Sequence, residues 1–159
     1  MRKLIFFIFL NLIFFNKLFA LIEIDITRGN LDPLPIAVSP LHVDIKSESF
    51  NDLKVKNLGE NISEIIEKNF RNTGLFNPLK KDAFVQKPDI AHLKPRFEDW
   101  RLIKAQALVT GKLIIKDEKL KVEFRLWDLA AAKEMTALAF TTTPSNWRRV
   151  AHIISDKIY

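Results

Sequence analysis

The stretch "QALVTGKLIIKDEKLKVEFRLWDL", residues 106–129, decides the fold. Its first half, "QALVTGKLIIKD", is nearly continuous in apolar residues, the pattern of a strand buried on both faces. Its second half alternates. Leu120, Val122, Phe124 and Leu126 face one side, and Lys121, Glu123, Arg125 and Trp127 face the other. Asp117, Glu118 and Lys119 make a turn between them, so the pair reads as a hairpin in an antiparallel sheet. After "AAAK" comes "EMTALAFTTT" (Glu134–Thr143), a third strand rich in β-branched and apolar residues.

Helical patterns flank these strands. In "NLGENISEIIEKNFRNTG", Ile62, Ile65, Ile66 and Phe70 fall on one face, which predicts a helix over Leu58–Thr73. Asn57 and Glu60 have capping-box spacing, and Gly74 suits a left-handed C-terminal cap. Glu60, Glu64, Glu67 and Lys68 fall on the solvated side. In "SNWRRVAHIISDKIY", Trp147, Val150, Ala151, Ile154 and Ile158 share a face, with Ser145 as the N-cap. This last helix has no stop signal, which suggests that more protein normally follows. "RFEDWRLIKA" (Arg96–Ala105) predicts a short helix that buries Trp100 and Ile103, its first turn helped by Glu98 and Asp99.

Nearer the front, Ile36, Ala37 and Val38 in "PIAVSPL" suit a short buried strand. "HVDIKSESFNDLKV" has no clean period and reads as loop, "LFNPL" as a turn, and "KKDAFVQKPDIAHLKP" as irregular. The fold class expected is α/β (α+β), with one mixed β-sheet packed against two main helices.

The first twenty residues, "MRKLIFFIFLNLIFFNKLFA", have a basic start, an apolar run of about a dozen residues and a small residue at Ala20, the layout of a signal peptide. The run is too short to span a bilayer comfortably, which takes about 20 residues. Leu18 is larger than the usual residue three positions before a cleavage site. The expectation is export, cleavage after Ala20 and no stable membrane insertion afterwards. The domain plan is a signal peptide over 1–20, a flexible strand segment over 21–33 and a folded domain over 34–159. That segment opens with "LIEIDITRGN", which alternates apolar and polar before stopping at Gly29. "LDPLP" then separates it from the first core strand.

Composition removes several chemistries. The 159 residues include no Cys, which excludes disulfides, thiolate metal sites and cysteine nucleophiles. The formal charge is +6, but Arg2, Lys3 and Lys17 supply three of those charges with no acid among the first twenty residues, leaving +3 from Leu21 onward. Lys and Arg are scattered among acids, which reads as a solvated surface rather than a nucleic-acid stripe. His42, His92 and His152 have no metal-ligand spacing, and His92 falls in a proline-bounded loop. His152, Ser155 and Asp156 are neighbours on one predicted helix, a poor geometry for a catalytic triad. Gly59, Gly74 and Gly111 form no phosphate loop, and the three Trp residues have places in core patterns. No catalytic residue, cofactor or metal is expected.

The ordered set "PIAVSPL", "RNTGLFNPL", a Trp before "VTGKL", "EFRLWDL" and "WRRVAHIISDKIY" resembles the N-terminal domain of the TolB family, over nearly all of the chain after Ala20. The resemblance implies an anticodon-binding-like fold in a non-catalytic periplasmic component of the Tol-Pal envelope system. That system serves outer-membrane integrity, cell division and protein import. In the family a six-bladed propeller follows and makes most of the contact with the lipoprotein Pal, so Pal binding is expected to be weakened or lost here. The resemblance also implies that the N-terminal segment binds the C-terminal domain of TolA by adding a strand to its sheet. Ile22, Glu23, Ile24, Asp25 and Ile26 match the alternating pattern of that segment, Gly29 matches the Gly that ends it, and Thr27 and Arg28 match more loosely. Asn30 and Leu31 depart from the small polar residues expected there. An unpaired strand fits this role physically, because its free N–H and C=O groups complete a partner's ladder. Two other readings are an inner-membrane-anchored domain with an unrelated protein partner, and a nucleic-acid-binding domain, against which export argues.

Overall fold

A computed structural model describes residues 32–45, 57–116 and 118–159. The signal-peptide and strand-segment expectations over residues 1–31 lie outside the described residues, apart from Asp32 and Pro33.

Six strands form one mixed sheet in the order β3-β1-β4-β5-β6, with β2 also on β4. β1 is Leu34–Val38, β2 is His42–Ile45 and β3 is Phe76–Pro78. The hairpin and its neighbour are β4 (Ala107–Lys116), β5 (Lys119–Asp128) and β6 (Lys133–Thr142). β4 pairs antiparallel with β5 along its full length, from Ala107↔Asp128 to Lys116↔Lys119. β5 pairs antiparallel with β6, from Leu120↔Thr142 to Asp128↔Lys133. Glu118 takes a positive φ of 59° in the β4–β5 turn.

β1 and β2 share the other edge of β4, both running parallel to it. Val38 lies opposite Val109 and His42 opposite Lys112, so four residues of the front chain span three of β4. The extra residue lies in Ser39–Leu41, where Pro40 has no N–H to give a ladder. Leu41 turns inward there and is buried. Two glycines make the room for it. A Cβ on Gly59 would lie 1.9 Å from the Leu41 carbonyl oxygen, and one on Gly111 would lie 2.3 Å from the Glu123 carbonyl oxygen and 3.2 Å from Leu41 Cγ.

Helices α1 (Leu58–Thr73) and α4 (Trp147–Ile158) cover one face of the sheet. Ile62, Ile66 and Phe70 from α1 and Val150, Ala151 and Ile154 from α4 join Ile36, Val38, Val109, Leu113, Ile115, Leu120, Val122 and Phe124 in one core. The mixed sheet on two main helices matches the expected class. Gly74 closes α1 at φ 70° with its N–H on the Arg71 carbonyl, as expected of a left-handed cap.

The opposite face is covered by the chain between β3 and β4. It holds a 3-10 turn (Lys81–Ala83), α2 (Pro88–Ala91) and α3 (Phe97–Leu102). Trp100, Ala91 and Ala105 pack there with Ala37, Leu108, Trp127 and Leu129 in a second core.

Several local expectations are corrected. His42–Ile45 is a strand and not loop, because β4 extends beyond β1 and leaves ladder groups for it. Phe76–Pro78 is a strand beside β1 and not a turn. Asn57 makes no side-chain cap, and Glu60 instead pairs with Lys81 at 2.5 Å. Glu67 is buried rather than solvated, between Arg71 at 2.9 Å and Lys81 at 3.4 Å. Ser145 does not cap α4. A 3-10 turn over Pro144–Asn146 precedes that helix, and the Ser145 hydroxyl bonds Thr143 Oγ1 at 2.9 Å.

Candidate functional site

The candidate residues Ile22, Glu23, Ile24, Asp25, Ile26, Thr27, Arg28 and Gly29 all lie outside the described residues. Asp32 and Pro33 are exposed directly ahead of β1. The Leu34 N–H then bonds the Leu75 carbonyl at 2.8 Å, which starts the β1–β3 pairing. Pro33 offers no amide hydrogen, so regular pairing begins only at Leu34.

The other residues weighed for chemistry have structural work. Ser155 is buried, and its hydroxyl donates to the Ala151 carbonyl at 3.0 Å. Asn69 Nδ2 of α1 donates to Ser155 Oγ at 2.9 Å and approaches His152 Nδ1 at 3.0 Å. This trio latches α1 to α4. His92 is half-buried, not free in a loop, and its ring stacks on His42 with centroids 4.5 Å apart and planes 6° apart. The His92 Nδ1 lies 2.9 Å from the Pro88 carbonyl, which can only accept, so Nδ1 bears the proton. A depression of about 470 Å³ opens beside this stack, bounded by Pro40, His42, Glu60, Lys87 and Asp89. Among the described residues, no three His, Asp or Glu side chains gather as metal ligands.

Sequence reasoning missed Gln86. It is buried, and its Oε1 accepts from Trp100 Nε1 at 2.7 Å and from the Arg96 N–H at 2.9 Å. A single Gln in an aperiodic stretch gives no advance signal of such a role. Trp100 and Trp127 are core residues, as expected. Trp127 sits on the polar face of β5 but is buried under Phe97, with its Nε1 donating to Thr110 Oγ1 at 2.9 Å. Trp147 is half-buried, with the Arg148 guanidinium 4.4 Å from the ring centroid.

Beyond Trp127 that face turns polar. Lys112 and Lys121 flank Glu123 at 3.6 and 2.7 Å. The Lys121 hydrogen bond, with Lys112 adding, holds the Glu123 carboxyl below its usual range despite some desolvation. Arg125 pairs with Glu134 at 3.2 Å and donates to the His92 carbonyl at 3.2 Å. Among the described residues, no helix is long and apolar enough to cross a membrane.

Comparison with known proteins follows the same lines. The family model described as the TolB amino-terminal domain matches residues 22–135. A curated relative, the Tol-Pal system protein TolB of Pelagibacter ubique, is 70% identical over 145 residues, covering 90% of this chain and 32% of the relative. The chain thus spans about a third of the length of that relative. Among solved structures, TolB from Acinetobacter baumannii matches with a TM-score of 0.60 at 20% identity, over 80% of this chain and 27% of that one. The lipoprotein GNA1162 from Neisseria meningitidis matches with a TM-score of 0.54 at 12% identity, over 79% of this chain and 96% of that one. At these identities the two structures share the fold alone.

Proposed function

The chain belongs to the TolB amino-terminal domain family, and from that premise we propose that it is a non-catalytic periplasmic component of the Tol-Pal envelope complex that binds the C-terminal domain of TolA through Ile22–Gly29. The observation that supports this reading best is the start of the family match at residue 22, which puts the whole alternating segment inside the shared region. The segment adds to the edge of the TolA sheet. Its backbone supplies ladder hydrogen bonds, and Ile22, Ile24 and Ile26 supply one apolar face. Ordering such a segment costs about 1–2 kcal/mol per residue in backbone entropy, so binding is modest and reversible. Through this contact the protein serves outer-membrane integrity, cell division and protein import.

The test is capture of the TolA C-terminal domain by the chain expressed with its own leader and purified from the envelope. Deleting Leu21–Leu31 must abolish capture; unchanged capture refutes strand addition. Retention of Met1–Ala20 in the purified protein would instead favour the membrane-anchored reading.

A further inference from the structure

The two edges of the sheet are unlike. β3 is three residues long and ends in Pro78, which has no N–H to offer a new strand. β6 is ten residues long, and β5 is its only strand partner among the described residues. Its charges, Lys133 and Glu134, sit at one end, and Glu134 is already engaged by Arg125. The eight residues Met135–Thr142 contain no charge and no proline. Natural edge strands usually carry charge, proline or cover against a second strand. Besides the charges at its start, β6 has one bulge, an unmatched Met135 between the pairs Leu126↔Thr136 and Trp127↔Glu134. That bulge guards only the first turn of the edge.

The side chains of β6 extend the core without closing it. Thr136, Leu138, Phe140 and Thr142 stand opposite Leu126, Phe124, Val122 and Leu120, on the face covered by α1 and α4. Phe140 stacks on Phe124 with centroids 6.2 Å apart, but Leu138 stays 40% exposed. Ala137, Ala139 and Thr141, all exposed, lie on the other face and are small enough for a close neighbour.

We propose that β6 pairs antiparallel with β6 of a second copy, joining two sheets about a two-fold axis at Leu138. This occupant follows from the order of residues along the edge. With Leu138 opposite Leu138 of the second copy, Thr136 faces Phe140, Ala137 faces Ala139 and Glu134 faces Thr142. No like charges meet anywhere in that register, and alternation keeps Leu138 and Phe140 on the helix-covered face of both sheets. The two exposed Leu138 side chains then cover one another. A two-fold contact of this kind is self-complementary and closes at two copies.

The absence of cysteine makes the test clean. In the purified full chain carrying Leu138→Cys, directly opposed residues lie about 4.5–5.5 Å apart between Cα atoms, inside the disulfide span of about 4.4–6.8 Å. Mild oxidation should cross-link that variant much faster than Asn72→Cys, placed on the exposed end of α1. Sedimentation equilibrium should give a concentration-dependent dimer, weakened about tenfold or more by Ala139→Lys. Hydrogen exchange of the outward-pointing β6 amides should slow about tenfold as protein concentration rises. A monomer at all concentrations overturns the proposal. So does a dimer that leaves β6 amides unprotected and cross-links equally at both sites. Protection of β6 that is already complete in the dilute monomer also overturns it, since another strand must then hold the edge.

Discussion

The two faces of the sheet are covered by different means. On one face, α1 and α4 lay regular apolar stripes against β1, β4 and β5, and the contacts are almost all aliphatic or aromatic. On the other, the chain from Leu79 to Ala105 has only short helical elements, the longest of them the six residues Phe97–Leu102. Its cover is tied within itself by directed bonds from Trp100 and Arg96 to Gln86, and it meets the sheet through the Arg125 bond to the His92 carbonyl and the edge of Phe97 on Trp127. The first face relies on area, which is redundant. The second relies on particular partners, which are not. Damage to the first should therefore unfold the domain, while damage to the second should open one side of it.

The largest effect is expected at Phe70. It is 1% exposed, and its ring meets Phe76 at 4.7 Å, so it ties α1 to the edge strand β3. Phe70→Ala should cost about 3–5 kcal/mol. Chemical denaturation should show this as a lower midpoint with an unchanged slope, and exchange should quicken equally under both faces. Loss confined to the helix face would break the comparison, because it would make that face the local one.

A smaller, local effect is expected at Gln86. Its Oε1 serves two donors, while its Nε2 has no partner among the described residues. Gln86→Leu keeps the bulk but leaves Trp100 Nε1 and the Arg96 N–H without an acceptor, which costs about 1–3 kcal/mol. The amides of residues 84–104 should exchange faster, and those of α1 and α4 should not. A uniform loss across the domain would show that both covers unfold as one unit.

The same contrast explains what could be read from the sequence. Periodicity reports burial of a regular stripe, so α1 was legible from end to end, as were α4, β4 and the alternation of β5. Gly74 was legible because a left-handed cap asks for a particular residue. β2 and β3 were not, since four and three residues are too few to show a period and their pairing depends on strands far away in the chain. Asn57 and Ser145 had capping chemistry in the right places. Lys81 took Glu60 and a 3-10 turn displaced Ser145, and both events are tertiary. Glu67 lies on the expected polar side of α1, yet Lys81 from the cover chain closes over it. The candidate segment Ile22–Gly29 was legible only as alternation ahead of two prolines, and it lies outside the described residues.

The smallest effect belongs to the polar end of the second face. Glu123 is flanked by Lys121 at 2.7 Å and Lys112 at 3.6 Å, and their pull lowers its affinity for a proton in the folded state. A carboxyl held below its unfolded value of about 4.3 favours folding when ionised. That contribution is complete above the unfolded value and fades as pH falls through the lower, folded one. Glu123→Gln should therefore reduce stability at neutral pH, with the gap to the parent closing in acid. The magnitude stays small because Lys121 is 47% exposed and water screens the pair. Urea denaturation of both proteins from pH 7 down to about pH 3 measures it, with titration of the Glu123 carboxyl carbon by NMR as the direct check. A gap that widens in acid would reverse the sign, and would mean that desolvation outweighs the two lysines. A gap that is the same at every pH would assign the loss to packing instead, and would make this end of the face as non-specific as the helix side.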